Sequence, residues 1–62
     1  MPESFKIHIT GAQLKQEDEG AWSVYYNNSL IEVFDNKAQA LCCGLNKEYL
    51  EDQFEQRYQK TA

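Results

Sequence analysis

The residues that could carry chemistry in this chain are one histidine, two neighbouring cysteines and a group of acids near the C-terminus. His8 falls on the polar side of an alternating segment, where it completes no Ser-His-Asp or Cys-His arrangement. Gly11 and Gly20 are isolated and neither opens a helix, so they form no phosphate-binding loop. The acids fall in loops, at a terminus or on a polar helix face, outside any pocket that would tune their pKa values. We therefore predict that the chain is not an enzyme.

The two cysteines, Cys42 and Cys43, are adjacent. Neighbouring cysteines sit too close for an unstrained bridge and would close no useful loop, so the pair indicates a reducing compartment, the cytoplasm. A structural zinc ion needs four ligands, usually in spaced pairs, which one copy of this chain does not supply. We expect Cys42 on the core face of a helix and Cys43 to one side of it, with no metal and no cofactor.

Four acids near the C-terminus follow the i, i+3, i+4, i+7 spacing of one helix face: Glu48, Glu51, Asp52 and Glu55. Like charges at this spacing oppose helix formation, and Lys47 relieves part of that repulsion by pairing with Glu51. Two interpretations remain open. The acids form a solvated helix face, or they form a negative surface that meets a basic patch on another protein with salt-sensitive binding.

Two segments that must position these residues read as strands. Residues 5 to 9 alternate apolar and polar, which predicts a strand with Phe5, Ile7 and Ile9 pointing inward. Residues 10 to 20 contain two glycines and three consecutive acids, and they read as a solvated loop.

Residues 22 to 35 predict a hairpin around a two-residue turn at Asn27-Asn28. In the predicted register Val24 faces Ile31 and Trp22 faces Val33. Because side chains alternate across a strand, this register divides the hairpin into two faces. The core face would hold Trp22, Val24, Tyr26, Ile31 and Val33, and the second face would hold Tyr25, Leu30 and Phe34. The second face is either covered by the loop over residues 10 to 20 or available to a partner.

A helix should begin near Lys37, because Asn36 and Gln39 resemble a capping box. Two apolar sets follow, roughly 160° apart around the helix. The first is Ala38, Leu41, Cys42, Leu45 and Tyr49, and the second is Leu50, Phe54 and Tyr58. Either Gly44 ends one helix and Asn46 caps another over residues 47 to 59, or one helix continues through Gly44. In the continuous helix the second set would face away from the sheet and offer a homodimer contact.

Length and charge limit the classes of function. The 62 residues predict one domain over positions 1–62, and a chain of this size buries only about 60% of its unfolded surface. Ten acidic and six basic residues give a net charge of −4, which disfavours nucleic acid as a partner. The chain has no run of 18 apolar residues and no visible signal peptide, so we expect no membrane association.

The order W-x-V-x-Y, a turn, and then an aromatic-D-N-K-x-x-A helix start covers residues 22 to 40. This layout resembles the three-stranded-sheet-plus-helix modules of phage integrase arm-binding domains and of many short phage and bacterial proteins. In the integrase modules a basic sheet face reads DNA. The same face here would present Tyr25, Glu32 and Lys6.

These patterns together predict an α+β fold, with a three-stranded antiparallel sheet packed on a C-terminal helix that is kinked or split at Gly44. The predicted core is Ile7, Ile9, Trp22, Val24, Ile31, Val33, Leu41 and Leu45. The expected function is non-catalytic binding of another protein with a basic or apolar patch, as in an accessory or inhibitory protein of a phage or mobile element. The alternatives are nucleic-acid binding through the sheet and a homodimeric structural protein.

Overall fold

The strands form one antiparallel sheet, and the helices pack against one of its faces. The computed structural model describes residues 3–18 and 20–59. Its elements are β1 (Ser4–Lys6), β2 (Gln13–Asp18), β3 (Ala21–Tyr26), β4 (Ser29–Phe34), α1 (Lys37–Leu45) and α2 (Lys47–Tyr58). The strand order is β1-β2-β3-β4, with consecutive strands adjacent. The predicted α+β class is confirmed, but the sheet has four strands where three were expected.

The additional strand, β2, lies where a solvated loop was predicted. Its single apolar residue, Leu14, pairs with Phe5 on one side and Val24 on the other, and its side chain is fully buried. The remaining described side chains of β2 are polar, so the segment carries one buried position in an otherwise hydrophilic run. Such a strand forms because the neighbouring strands β1 and β3 pair with it, and local composition does not reveal that pairing. Glu19, the last acid of the predicted loop, lies outside the described residues.

The first strand ends at Lys6, three residues before its predicted end. The Ile7 amide donates to the Ala12 carbonyl and the Gly11 amide donates to the Ile7 carbonyl, each at 2.7 Å, so the chain turns back here. Gly11 has a φ angle of 84°, a value that glycine adopts without strain. Ile7 is buried, but Ile9 lies on the turn and is 83% exposed. The prediction that Ile9 belongs to the core is therefore wrong.

The hairpin of β3 and β4 begins in the predicted register and then shifts by one residue. Asn27 and Asn28 both have positive φ angles, as a two-residue hairpin turn requires. Tyr25 pairs with Leu30 as predicted, but Val24 pairs with Glu32, which leaves Ile31 as the extra residue of a β-bulge. The bulge keeps Ile31 in the core and exchanges the faces of the residues that follow it.

Beyond the bulge, two predicted positions are corrected. Phe34 pairs with Trp22 and packs half-buried against the core on the helix side of the sheet, so it does not belong to the second face. Val33 pairs with Ser23 on the uncovered side and is 54% exposed, so it is not a core residue.

The helix is split at Asn46, two residues after the predicted break. The Asn36 side chain accepts from the Gln39 amide at 2.8 Å, and the Asn46 side chain accepts from the Tyr49 amide at 3.1 Å. Both predicted caps are therefore confirmed. Gly44 lies inside α1 and does not terminate it. It lies so close to Ile7 that a Cβ at position 44 would come within 2.7 Å of the Ile7 Cδ1 atom.

α1 turns its small residues toward the sheet. Its buried positions are Ala40, Cys43 and Gly44. Leu41 and Leu45, which were predicted in the core, are exposed. Cys42 is exposed and Cys43 is buried, the reverse of the expected arrangement.

α2 is anchored by Leu50, its single buried residue. The Phe54 ring packs half-buried between Tyr26 and Tyr58, with centroid distances of 5.9 Å and 5.5 Å. A buried Leu50 cannot serve as the surface dimer contact that a continuous helix would have presented. No helix in residues 3–18 and 20–59 is long and apolar enough to cross a membrane.

The C-terminal turn of α2 also covers part of the β4 edge. The Tyr58 hydroxyl donates to the Leu30 carbonyl at 2.7 Å, and the Arg57 guanidinium donates to the Ile31 carbonyl. Arg57 also lies 3.6 Å from the Glu32 carboxylate. Edge strands left bare are templates for unwanted pairing, so these contacts restrict pairing at the bulged half of β4.

Candidate functional site

The helices cover one face of the sheet, and we refer to the other as the open face. The strand pairing arranges its side chains in two rows that cross all four strands. The first row is Lys6, Gln13, Tyr25 and Leu30, and the second is Ser4, Lys15, Ser23 and Val33. The β1–β2 half of the open face is therefore polar and cationic, and the β3–β4 half is mainly apolar.

The apolar half contains what we call the open-face patch: Tyr25, Leu30 and Val33. Leu30 is 38% exposed and Val33 is 54% exposed, and Tyr25 is half-buried between them and β2. Sequence reasoning placed Tyr25 and Leu30 on this face and assigned Phe34 as the third member. The third member is Val33, and the bulge that exchanged the two residues has no local sequence signal.

The Tyr25 hydroxyl lies near the C-terminal end of β2. It donates to the Glu17 carboxylate at 3.3 Å. Burial first, and then the negative charge and hydrogen bond of Glu17, raise the pKa of Tyr25 above its usual value of 10.0. At neutral pH Tyr25 is therefore an uncharged aromatic residue with a polar tip, a type enriched in protein interfaces.

The four acids that were predicted on one helix face are all exposed on α2, and we call them the acidic stripe: Glu48, Glu51, Asp52 and Glu55. They belong to the helix layer, so the structure does not bring them onto the open face. Glu51 reaches the hairpin end, where its carboxylate accepts from the Tyr26 hydroxyl at 3.4 Å. Burial and the Glu51 charge raise the pKa of Tyr26. The acidic stripe therefore contacts the β3–β4 hairpin through Glu51.

A groove runs between β4 and the two helices, and we call it the β4–α1 groove. Its volume is about 520 Å³. Its lining is Glu32, Phe34, Ala38, Gln39, Cys42, Cys43, Asn46 and Tyr49. Burial first, and then the Glu32 charge, raise the pKa of both Cys43 and Tyr49. Most of the groove surface is apolar, and the Glu32 carboxylate lies at its β4 side.

The remaining candidate chemistry is not assembled into a site. Among the described residues, no group of three or more histidine, cysteine or acidic side chains is placed to hold a metal ion. His8 is exposed on the turn after β1.

The two thiols should differ in reactivity. Only the thiolate attacks an alkylating reagent, and burial raises the pKa of Cys43 above its usual 9.0. In dilute protein at pH 8, we expect iodoacetamide to modify Cys42 first and Cys43 only slowly. Mass spectrometry of digested samples measures the two rates. Denatured protein is the control, in which both cysteines should react together, and equal rates in the folded protein would contradict the burial of Cys43.

The fold and its surfaces define a two-layer α+β domain whose sheet is covered by helices on one side. The chain shows no significant match to a protein-family model, to a curated protein or to a solved structure.

Proposed function

We propose that this chain is a non-catalytic protein-binding module that holds its partner on the open face. The observation that carries the proposal is the exposure of Leu30 and Val33 beside Tyr25, on the sheet face opposite the helices. A two-layer domain needs only one buried sheet face, and its other face is normally polar. Apolar residues grouped on that face support a contact surface.

The chemistry of the face favours a protein over a small molecule. The open face is a sheet surface, and its patch combines an aromatic ring with two aliphatic side chains. The patch is bordered by polar groups of the second row such as Lys15. An apolar centre with a polar rim is the usual anatomy of a protein interface. The partner would therefore present a complementary apolar patch.

The acidic stripe on α2 would contribute to the rate of encounter. Glu51 of the stripe lies beside the hairpin end, so a partner with a basic patch next to its apolar patch would be steered toward the open face. We propose an accessory or inhibitory protein acting on another protein as the form of this function. The free thiols of Cys42 and Cys43 support a reducing compartment such as the cytoplasm.

The test is affinity capture with matched variants. Val33→Asp should reduce the amount of a specifically captured partner by about tenfold or more, because it buries an unpaired charge in the contact. Leu45→Asp is the control, because Leu45 is 50% exposed, similar to Val33, but lies on the helix layer. A partner that survives Val33→Asp and is lost with Leu45→Asp would place the binding surface elsewhere.

The second candidate function is binding of single-stranded nucleic acid. The observation that favours it is that Lys6 and Lys15 lie on the same face as Tyr25, where an aromatic ring could stack on a base while the lysines contact phosphates. Fluorescence anisotropy with a labelled oligonucleotide tests it. Binding should weaken steeply with salt and fail in the Lys6→Ala, Lys15→Ala double variant, whereas protein binding should survive that change.

A further inference from the structure

The two edges of the sheet differ in length. β1 forms one edge with three residues, and β4 forms the other edge with six. A very short edge strand offers few groups to another chain, whereas a longer one presents a row of amides and carbonyls with which a second strand can pair. The β1 edge is therefore protected by its length, and the β4 edge needs another form of protection.

The sequence of β4 increases that need. The strand reads SLIEVF, in which four of six residues are large and apolar, one is charged and none is proline or glycine. Segments of this length with high β-propensity and little charge are those that pair with copies of themselves. The chain that β4 is best suited to pair with is therefore a second copy of β4.

Two side chains from the last turn of α2 lie on this edge. The Tyr58 hydroxyl donates to the Leu30 carbonyl at 2.7 Å, and the Arg57 guanidinium donates to the Ile31 carbonyl. These two carbonyls belong to adjacent residues at the bulge, where the ladder with β3 is interrupted. Each hydrogen bond occupies an acceptor that an incoming strand would use.

Contacts with β4 and the hairpin hold the two donors in place. The Tyr58 ring packs against Phe54 at a centroid distance of 5.5 Å, and Phe54 packs against Tyr26 at 5.9 Å. The Arg57 guanidinium lies 3.6 Å from the Glu32 carboxylate, so the one charged side chain of β4 keeps Arg57 at the edge. Because the last turn of a helix opens at little cost in free energy, both donors can be released together.

We propose that Arg57 and Tyr58 form an edge latch that controls self-association of this protein. When the latch is closed, the bulged half of β4 is occupied. When the last turn of α2 opens, the Leu30 and Ile31 carbonyls become free, and β4 of a second copy pairs with them antiparallel about a twofold axis. The edge latch acts through the backbone of β4 and the open-face function acts through side chains, so neither proposal depends on the other.

The first measurement is the mass in solution, by light scattering over a concentration series, of the wild type and of the Arg57→Ala, Tyr58→Phe double variant. The two changes remove both donors and retain an aromatic ring beside Phe54. Two hydrogen bonds of ordinary net strength shift an equilibrium by roughly tenfold or more. The double variant should therefore associate at about a tenth of the concentration that the wild type needs. Association at equal concentrations would overturn the proposal.

A core variant separates release of the latch from general loss of stability. Ile7→Val removes one methyl group from the buried core and changes nothing at the β4 edge. Urea titration, followed by the fluorescence of the buried Trp22, measures the stability of both variants. Ile7→Val should associate as the wild type does. If it associates as strongly as the double variant, the association comes from partial unfolding and the proposal is wrong.

A lysine on the edge strand tests which strand pairs, because lysine at an edge opposes pairing with another chain. Val33→Lys, added to the double variant, should restore the behaviour of the wild type. The control is Gln13→Lys, which adds the same charge on the open face but on β2, an inner strand. That change should leave the association of the double variant in place. Rescue by both lysines, or by neither, would place the association outside the β4 edge and overturn the proposal.

Discussion

Replacing Leu50 with alanine should lower the free energy of unfolding by about 3–5 kcal/mol. Leu50 is fully buried and is the single buried residue of α2, so its removal leaves a cavity between α2 and the sheet. A domain of this size has a total stability of only about 3–9 kcal/mol. The variant should therefore lie close to the limit of folding, and its urea midpoint should fall sharply.

The matched control is Leu45→Ala, which makes the same chemical change on the exposed side of α1. Leu45 is half-exposed, so we expect a loss below about 1 kcal/mol. Fluorescence of the buried Trp22 during urea titration measures both variants. Equal losses would contradict the packing of α2 and would return the continuous helix, with Leu50 on its outer face, as the better description.

Replacing Gly44 with alanine should also destabilise the protein, by about 1–3 kcal/mol from overpacking. In an open helix the same change would stabilise by about 1 kcal/mol, so the sign of the result is informative. The added Cβ would lie 2.7 Å from the Ile7 Cδ1 atom and 2.8 Å from the Leu14 Cδ1 atom. Both neighbours are buried and have little room to move. Urea denaturation provides the measurement.

A double-mutant cycle identifies the cause. Ile7→Val removes the Cδ1 atom that the new methyl group would meet, and alone it should cost about 1 kcal/mol. Combined with Gly44→Ala, it should cost clearly less than the sum of the two single changes, because the changes compensate each other. Simple additivity would mean that Gly44→Ala acts through the helix alone and not through its contact with Ile7.

The close approach at Gly44 links the core to the surface. α1 can lie against Ile7 and Leu14 only through its small residues, Ala40, Cys43 and Gly44. The same rotation of the helix directs Leu41 and Leu45 outward. The exposure of Leu41 and Leu45 is therefore a direct consequence of how the core is packed.

Local interactions account for the features that could be predicted from the sequence. The hairpin turn at Asn27-Asn28 depends on two residues that tolerate positive φ angles. The helix starts at Lys37 and Lys47 depend on Asn36 and Asn46, each of which accepts from an amide three residues ahead. All of these contacts lie within one turn of chain, so residue types and spacing are enough to indicate them.

The tertiary structure alone decided the position of β2, the bulge at Ile31 and the face that α1 buries. β2 forms because β1 and β3 pair with it on both sides, where Phe5 and Val24 flank Leu14. The bulge decides that Val33, and not Phe34, completes the open-face patch. These outcomes depend on contacts between residues far apart in the chain, which residue spacing does not encode.

α1 shows the limit most clearly. Its large apolar residues have the period of a buried face, and sequence reasoning therefore assigned them to the core. The opposite face, with Ala40, Cys43 and Gly44, fits the narrow space beside Ile7 and Leu14. The sequence by itself determined where α1 begins and that it carries a face of large apolar residues. Which face the sheet covers was decided by the narrow space beside Ile7 and Leu14, because only the small residues let the helix approach.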